Sequence, residues 1–302
     1  MTDGVRGWDG RGLPPAAAAR LERARRSGVR TSLFSVDSQV GLDLCGFVPV
    51  GEVMGTMVQH LGWQGYAGCG WYAGYGGYGA VYEVRTQVAM PGSRLAFAPY
   101  LNALDHGWRT AIGRMLTECR ALGGDGVIGV RLEETSLDGG NREFVALGTA
   151  VRSLGTEHLA QPFATTLGGA DVAKLLHAGW VPAAILVCLA LGVRHDDFQT
   201  RQATMWTAGN AEVPGYTDLV GAVREGDRRL LSRRCAELGA DGAILTTPMS
   251  IQVSALEVGD GHTDHAAVAS LVATAVASFG RHPGLGGVGS LAVLPLNGKA
   301  MR

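Results

Sequence analysis

No Cys-x-x-Cys pair occurs among the five cysteines, Cys45, Cys69, Cys119, Cys188 and Cys235, and an odd, scattered set argues against both a disulfide framework and a zinc ribbon. Net charge is nearly absent as well. The formal value is −1 at pH 7, which removes any global attraction to nucleic acid or anionic lipid. The N-terminus has no basic start followed by an apolar run, so no secretory signal is visible and a cytoplasmic location is expected. The apolar run Val181–Leu191 spans only eleven residues and contains Pro182, which fits a doubly buried strand rather than a membrane span. Gly-x-Ser-x-Gly, His-Glu-x-x-His and a Walker loop are all missing, so no catalytic motif supports an enzyme. Gly74-x-Gly76-x-x-Gly79-x-Val81 matches the kinase nucleotide loop only because glycine is locally dense; neither His-Arg-Asp nor Asp-Phe-Gly follows.

What is present is a repeat. Ala121-Leu-Gly-Gly-Asp-Gly-Val-Ile-Gly-Val130 returns 116 residues later as Glu237-Leu-Gly-Ala-Asp-Gly-Ala-Ile-Leu-Thr246, and the same offset places Cys119 on Cys235 and Tyr100 on Tyr216. A second motif, Cys45-Gly-Phe-Val-Pro-Val50, parallels Ala178-Gly-Trp-Val-Pro-Ala183 at an offset of 133. The difference of 17 residues locates an insertion in the first copy, the stretch Gly62–Gly79. It holds eight glycines in eighteen positions and six aromatics, Trp63, Tyr66, Trp71, Tyr72, Tyr75 and Tyr78. Aromatic, amphipathic side chains on so free a backbone suit a partner- or ligand-binding loop; the alternative is a surface hairpin.

At 302 residues with 46% hydrophobic and 18% charged, the chain divides into two domains of ordinary size. Residues 1–30 form a basic arm with a short helix from Pro15, 31–154 a first domain, 155–162 a linker, 163–280 a second, diverged domain and 281–302 a tail. Leu42–Met54 reads as a strand bent at Gly46 and Pro49, and Ala80–Met90 as another. Leu101, Leu104, Trp108, Ile112, Met115, Cys119 and Leu122 recur at helical spacing, so a long helix lays one apolar stripe on a sheet and stops at Gly123. Cys119 on that stripe is a buried structural thiol rather than a reactive one. Gly126–Glu134 and Glu143–Val151 form a hairpin through Asp138-Gly-Gly-Asn141. In the second half a helix opened by Pro214 ends at Gly239, with strands near Gly242–Val253 and Ala266–Ser278. The expected class is α+β, two tandem domains, each a mainly antiparallel sheet with one long helix packed on a face.

The motifs Cys45-Gly-Phe-Val-Pro-Val-Gly-Glu52, Ala121–Val130 and Gly148-Thr-Ala-Val-Arg152 occur in an order that resembles the YbjQ-like, heavy-metal-binding domain family. The resemblance marks Cys45, Gly46, Glu52, Asp125 and Gly126, with Asp241 and Gly242 in the second copy, which lacks the Cys and Glu. It implies symmetric rings, a homopentamer or decamer, and raises the question of metal. Single, core-facing thiols suit soft metals poorly, whereas His195-Asp196-Asp197 and His262-Thr-Asp264-His265, placed in loops, offer ligands for zinc or a similar divalent ion. The leading expectation is a non-enzymatic, ring-forming scaffold or binding protein with a protein partner at 62–79. The alternative is a metal- or small-ligand-binding protein that uses the His/Asp clusters.

Overall fold

A computed structural model describes residues 8–27, 32–61, 86–95, 97–156, 158–205, 209–258, 262–279 and 294–295. The stretch 62–79, with its six aromatics, lies outside the described residues, as does most of the tail. Pro15 opens α1 (Pro15–Ser27), where its missing N–H is no loss, and alanine-rich sequence carries the helix on. Then follow α2 (Val36–Leu44), β1 (Phe47–His60), β2 (Gln87–Ala89), α3 (Ala98–Ala121), β3 (Gly126–Ser136) and β4 (Asn141–Ser153). The second half runs β5 (Phe163–Ala164), α4 (Gly169–His177), β6 (Trp180–His195), α5 (Phe198–Ala203), α6 (Pro214–Leu238), β7 (Gly242–Ile244), β8 (Ser250–Val258), β9 (His262–Ser278) and β10 (Leu294–Pro295). Both long helices begin with proline in the first turn and stop where Gly123 (φ 72°) and Gly239 (φ 66°) turn left-handed.

Sheet A has the order β1-β4-β3-β5, and sheet B the order β10-β7-β9-β6-β2 with β8 also on β9. The short helix, long strand, long helix and strands of α2 to β4 recur in that order from α4 to β9. Both long strands carry a bulge just after proline, at Pro49/Gly51 in β1 and Pro182/Ala184 in β6, which lets a residue without an N–H sit inside a ladder. An edge strand crosses over each way: β2 pairs with β6, and β5 pairs with β3 in the parallel sense.

The layers are sheet A, α3, sheet B and α6. On β6 the even residues Leu186 and Cys188 pack with Leu230, Leu231 and Cys235 of α6. The odd residues Ile185, Val187, Leu189, Leu191 and Val193 share a core with Leu101, Leu104 and Trp108 of α3. The long helix of the first half is therefore covered on two sides, not on one face as the stripe implied. Toward sheet A it comes so close that a Cβ on Gly55 would sit 1.9 Å from the Ala111 carbonyl oxygen. At one end α2 and α4 pack on each other, with Leu42, Val172 and Leu175 joining Ile128, Val151, Ile244 and Val276 in a core beneath both sheets.

Three expectations about local structure are corrected. Leu42 to Leu44 belong to α2, and the strand begins only at Phe47, after Gly46 (φ 74°) turns the chain. Gly242–Val253 is two strands, β7 and β8, both on β9. His195, Asp264 and His265 lie in strands, because the β6–β9 ladder runs without interruption to the His195–Asp264 pair. The run Val181–Leu191 is a strand within β6, with both faces buried from Leu186 onward. No described helix is long and apolar enough to cross a membrane.

Candidate functional site

The end of the β6–β9 ladder gathers most of the polar residues singled out in the sequence. Directly opposed residues share a face, so His195 meets Asp264 on one side of the sheet and Arg194 meets His265 on the other. The His195 Nδ1 lies 2.6 Å from an Asp264 carboxylate oxygen. Burial raises the Asp264 carboxyl to about 6, against a smaller opposing pull from His265. On the α6 side, His265 Nδ1 lies 3.0 Å from Asp196 Oδ1, and its Nε2 lies 2.9 Å from the Tyr216 hydroxyl, whose ring is tilted against the imidazole at 4.5 Å. Burial raises the Tyr216 phenol, with Asp196 adding to the effect.

Carboxylate, imidazole and hydroxyl in line is the order used to activate a nucleophile, but here the hydroxyl is a phenol held in its protonated form and wedged against the ring. The arrangement locks the start of α6 to the sheet. Asp197, placed with the metal candidates by sequence, is instead the N-cap of α5: its carboxylate accepts the Thr200 N–H at 2.7 Å and pairs with Arg194 at 3.0 Å. The Thr200 N–H is the first cause that holds the Asp197 carboxyl below its usual range.

These contacts overturn the expected zinc or other divalent ion. Among the described residues there is no group of three or more His, Cys, Asp and Glu placed to hold a metal. The residues come together as His–Asp pairs, each imidazole Nδ1 turned to a carboxylate, rather than as a converging ligand set. Only the backbone of His262 is described, at the start of β9. Cys119 and Cys188 are buried and their thiols are pushed up to about 12 by that burial, while Cys45 is half-buried and also raised.

The two motif aspartates do the same structural work. Asp125 accepts the Ser153 N–H at 2.8 Å and Asp241 accepts the Ser278 N–H at 2.8 Å, so each ties the start of one strand to the end of its antiparallel neighbour. Gly126 is explained by packing, since a Cβ there would strike the Phe163 ring, and Gly46 by its left-handed backbone. Glu52 is half-buried on β1.

One arrangement was missed by sequence reasoning. Arg234 and Asp105, both buried, form an ion pair at 2.5 Å between α6 and α3, and Arg234 also donates to the Val187 carbonyl on the outward edge of β6. They line a crevice of about 250 Å³ with Trp108, Ile112, Ala184 and Glu237. Arg234 stands 116 residues after Glu118, which accepts the Met54 N–H on the edge of β1 and pairs with Arg20 of α1. The signal was available in the repeat offset, but one arginine among five on the same helix reads as surface charge.

Comparison with known proteins places the chain. It is 32% identical over 239 residues to the encapsulin nanocompartment protein Rv1762c of Mycobacterium tuberculosis, covering 76% of this chain and 80% of that protein. The chain belongs to the family of that mycobacterial protein. A domain of the family described as "Putative heavy-metal-binding" (YbjQ-like) matches residues 90–153, which span α3, β3 and β4. The same kind of domain relates the chain to UPF0145 proteins of Clostridium perfringens, 46% identical over 52 residues, and Methanococcus maripaludis, 40% over 53 residues. These matches cover 17% and 18% of this chain and about half of each relative, 49% and 47%. This family member thus contains a YbjQ-like domain in part of its length; Cys45, Gly46 and Glu52 fall outside the segment matched by the family profile.

Proposed function

We propose that the chain is a non-enzymatic, homo-oligomeric protein, built from two tandem YbjQ-like units, that closes into a ring and serves as a scaffold or binding component of a protein nanocompartment. The observation that carries this reading is the 32% identity over 239 residues to an encapsulin nanocompartment protein. The tandem organisation is supported by the repeated order of elements, by bulges at Pro49 and Pro182, 133 residues apart, and by matching roles for Asp125 and Asp241. A ring is supported by sheet surface left without a helix, since closed assemblies remove such faces and edges from water. The aromatic stretch 62–79 is the proposed contact for a protein partner.

Native mass spectrometry on untagged protein tests the assembly: a single closed species, a pentamer or decamer, is the expected result, and a monomer at all concentrations overturns it. Deletion of 62–79 tests the partner contact. The assembly is expected to persist while co-purification of a nanocompartment component from the native host is lost; unchanged co-purification removes that role from the loop.

A further inference from the structure

Inside the chain, the lead into α4 staples the second half to the first. The Thr165 N–H donates to the Val127 carbonyl of β3 at 2.9 Å, and the Val130 and Gly129 N–H groups donate to the Thr165 and Leu167 carbonyls at 3.0 and 2.9 Å. α4 then sets Gly169, Ala170 and Ala173 against α2, where a Cβ on Gly41 would lie 3.1 Å from Ala170 and 3.4 Å from Ala173.

The first half carries the same lead and helix 133 residues earlier, without a partner surface among the described residues. α2 (Val36–Leu44) and α4 (Gly169–His177) match end to end at that offset. The Leu33 N–H bonds to Thr149 Oγ1 at 2.9 Å as the Thr166 N–H bonds to Thr274 Oγ1 at 3.2 Å, so the two leads are held alike. Ser32, the counterpart of Thr165, makes no backbone hydrogen bond among the described residues. On the helix, Val36 and Val40 stand where Gly169 and Ala173 do. They are 83% and 53% exposed, and Leu44, one turn further along the same side, is 84% exposed. Three large apolar side chains in a row on the outer face of one short helix mark a contact surface.

The receiving edge recurs as well. Gly242, Ala243, Leu245 and Thr246 stand 116 residues after Gly126, Val127, Gly129 and Val130. Unlike those of Gly129 and Val130, the Leu245 and Thr246 N–H groups make no hydrogen bond among the described residues, and the Leu245 side chain is exposed. Where β5 lies on Gly126 and Val127, β10 lies on Gly242 and Ala243. β10 has two residues, and Pro295 brings no N–H to the ladder, so it covers the edge weakly.

We infer that a second copy of this chain lays its Ser32–Phe34 segment along β7, in place of β10, and seats Val36, Val40 and Leu44 of its α2 beside α4. The inference rests on the self-assembly proposed above and names its surfaces and its brake. On α4 the counterparts of Ser38 and Gly41 are Asp171 and Lys174, an ion pair at 3.0 Å, so the valines meet a neutral pair and a lysine stem rather than a lone charge. One side of the contact belongs to the first half and the other to the second, so it is head-to-tail and adds copies in one direction. β10 is the brake, because it holds the edge until a second copy replaces it.

Two variants test it by native mass spectrometry and mass photometry: V36S/V40S, which changes exposed side chains, and a chain ending at Ser290, which lacks β10. V36S/V40S is expected to weaken self-association at least about tenfold, and the shortened chain to strengthen it by a similar factor. Hydrogen exchange reads the edge directly: the Leu245 and Thr246 amides should gain protection as the wild-type concentration rises, and not in V36S/V40S. Association that V36S/V40S leaves unchanged overturns the surface assignment while self-assembly stands, as do Leu245 and Thr246 amides that exchange alike at all concentrations of an assembling chain. A shortened chain that assembles no better than wild type removes the brake. Chains that stay monomeric both with and without β10 overturn the inference and the self-assembly together.

Discussion

Glu118 and Arg234 occupy the same step of the two long helices, 116 residues apart, and each fastens the outward edge of its own sheet with the opposite charge. Glu118 accepts the Met54 N–H at 2.8 Å, and Arg234 donates to the Val187 carbonyl; Met54 and Val187 are themselves related by the strand offset of 133. An edge residue offers both an N–H and a carbonyl, so either sign satisfies one of them. Each charge then draws its counter-ion from the helix packed alongside, Arg20 of α1 or Asp105 of α3.

Removing the guanidinium is expected to be costly. Arg234→Met leaves Asp105 buried with, among the described residues, only the largely exposed Arg109, at 2.8 Å, for an ion-pair partner. A loss of about 3 kcal/mol in urea unfolding is expected, with most of it regained when Asp105→Leu is added, because a buried half-pair is worse than none. Equal losses in the single and double variants would count against this account.

Gly55 marks a close helix–sheet approach. Gly55→Ala drives a methyl to 1.9 Å from the Ala111 oxygen and 2.5 Å from the Met115 nitrogen, both backbone atoms that cannot step aside singly. A destabilisation of about 3 kcal/mol is expected by thermal unfolding. Gly113→Ala, on the same helix with nothing within 4 Å of the new methyl, is expected to stabilise by up to about 1 kcal/mol.

Asp125 and Asp241 share a role but not a setting. Asp125 is buried and also accepts the Leu159 N–H at 3.3 Å, with His158 at 3.0 Å, whereas Asp241 is exposed and, among the described residues, serves Ser278 alone, through its N–H at 2.8 Å and Oγ at 2.9 Å. Asp125→Ala is therefore expected to cost about 2 kcal/mol and Asp241→Ala about 1 kcal/mol in chemical denaturation. A reversed order would show that the two strand ties are not comparable.

Asp227 gives the stability a pH dependence. It is fully buried on α6, its carboxylate oxygens have no hydrogen-bond partner among the described residues, and burial pushes it up to about 8, with Arg234 pulling the other way. The unfolded chain releases that proton near 3.8, so the folded state is favoured below 3.8 and loses this advantage steadily as pH rises to about 8. Asp227→Asn is expected to flatten the stability profile across that window and to exceed wild type at neutral pH by on the order of 2 kcal/mol. A variant that keeps the wild-type slope would place the dependence elsewhere.

Tyr216→Phe is expected to lower stability by about 1 kcal/mol through the lost contact to His265 Nε2 at 2.9 Å, without affecting the His195–Asp264 pair on the other face of the sheet. Histidine NMR shifts check this directly: His265 should move and His195 should not.

Much of the fold was legible because local rules act over a few residues. The stripe from Leu101 to Leu122, the stops at Gly123 and Gly239 and the turn at Asp138–Asn141 follow from spacing and backbone freedom, and the structure has them. Leu42–Leu44 misled because an apolar stretch of that length fits helix or strand equally; packing on α4 decides it, with a Cβ at Gly41 only 3.1 Å from Ala170. The His/Asp clusters misled for a different reason. His195, Asp264 and His265 read as loop, yet the ladder from Trp180 carries them on as strand, and there the imidazoles of His195 and His265 each meet a carboxylate instead of a metal.

By itself, the sequence determined the two long helices with their stops, the β3–β4 hairpin and the doubled motifs, because periodicity, proline and glycine act on the chain locally. The tertiary structure alone decided that α3 lies between two sheets, that β2 and β5 cross to the other half's sheet, and that Glu118 and Arg234 are edge ties rather than surface charges. Those outcomes depend on which distant backbone N–H, carbonyl or apolar face arrives alongside, and a pattern that repeats every few residues carries no information about its partner.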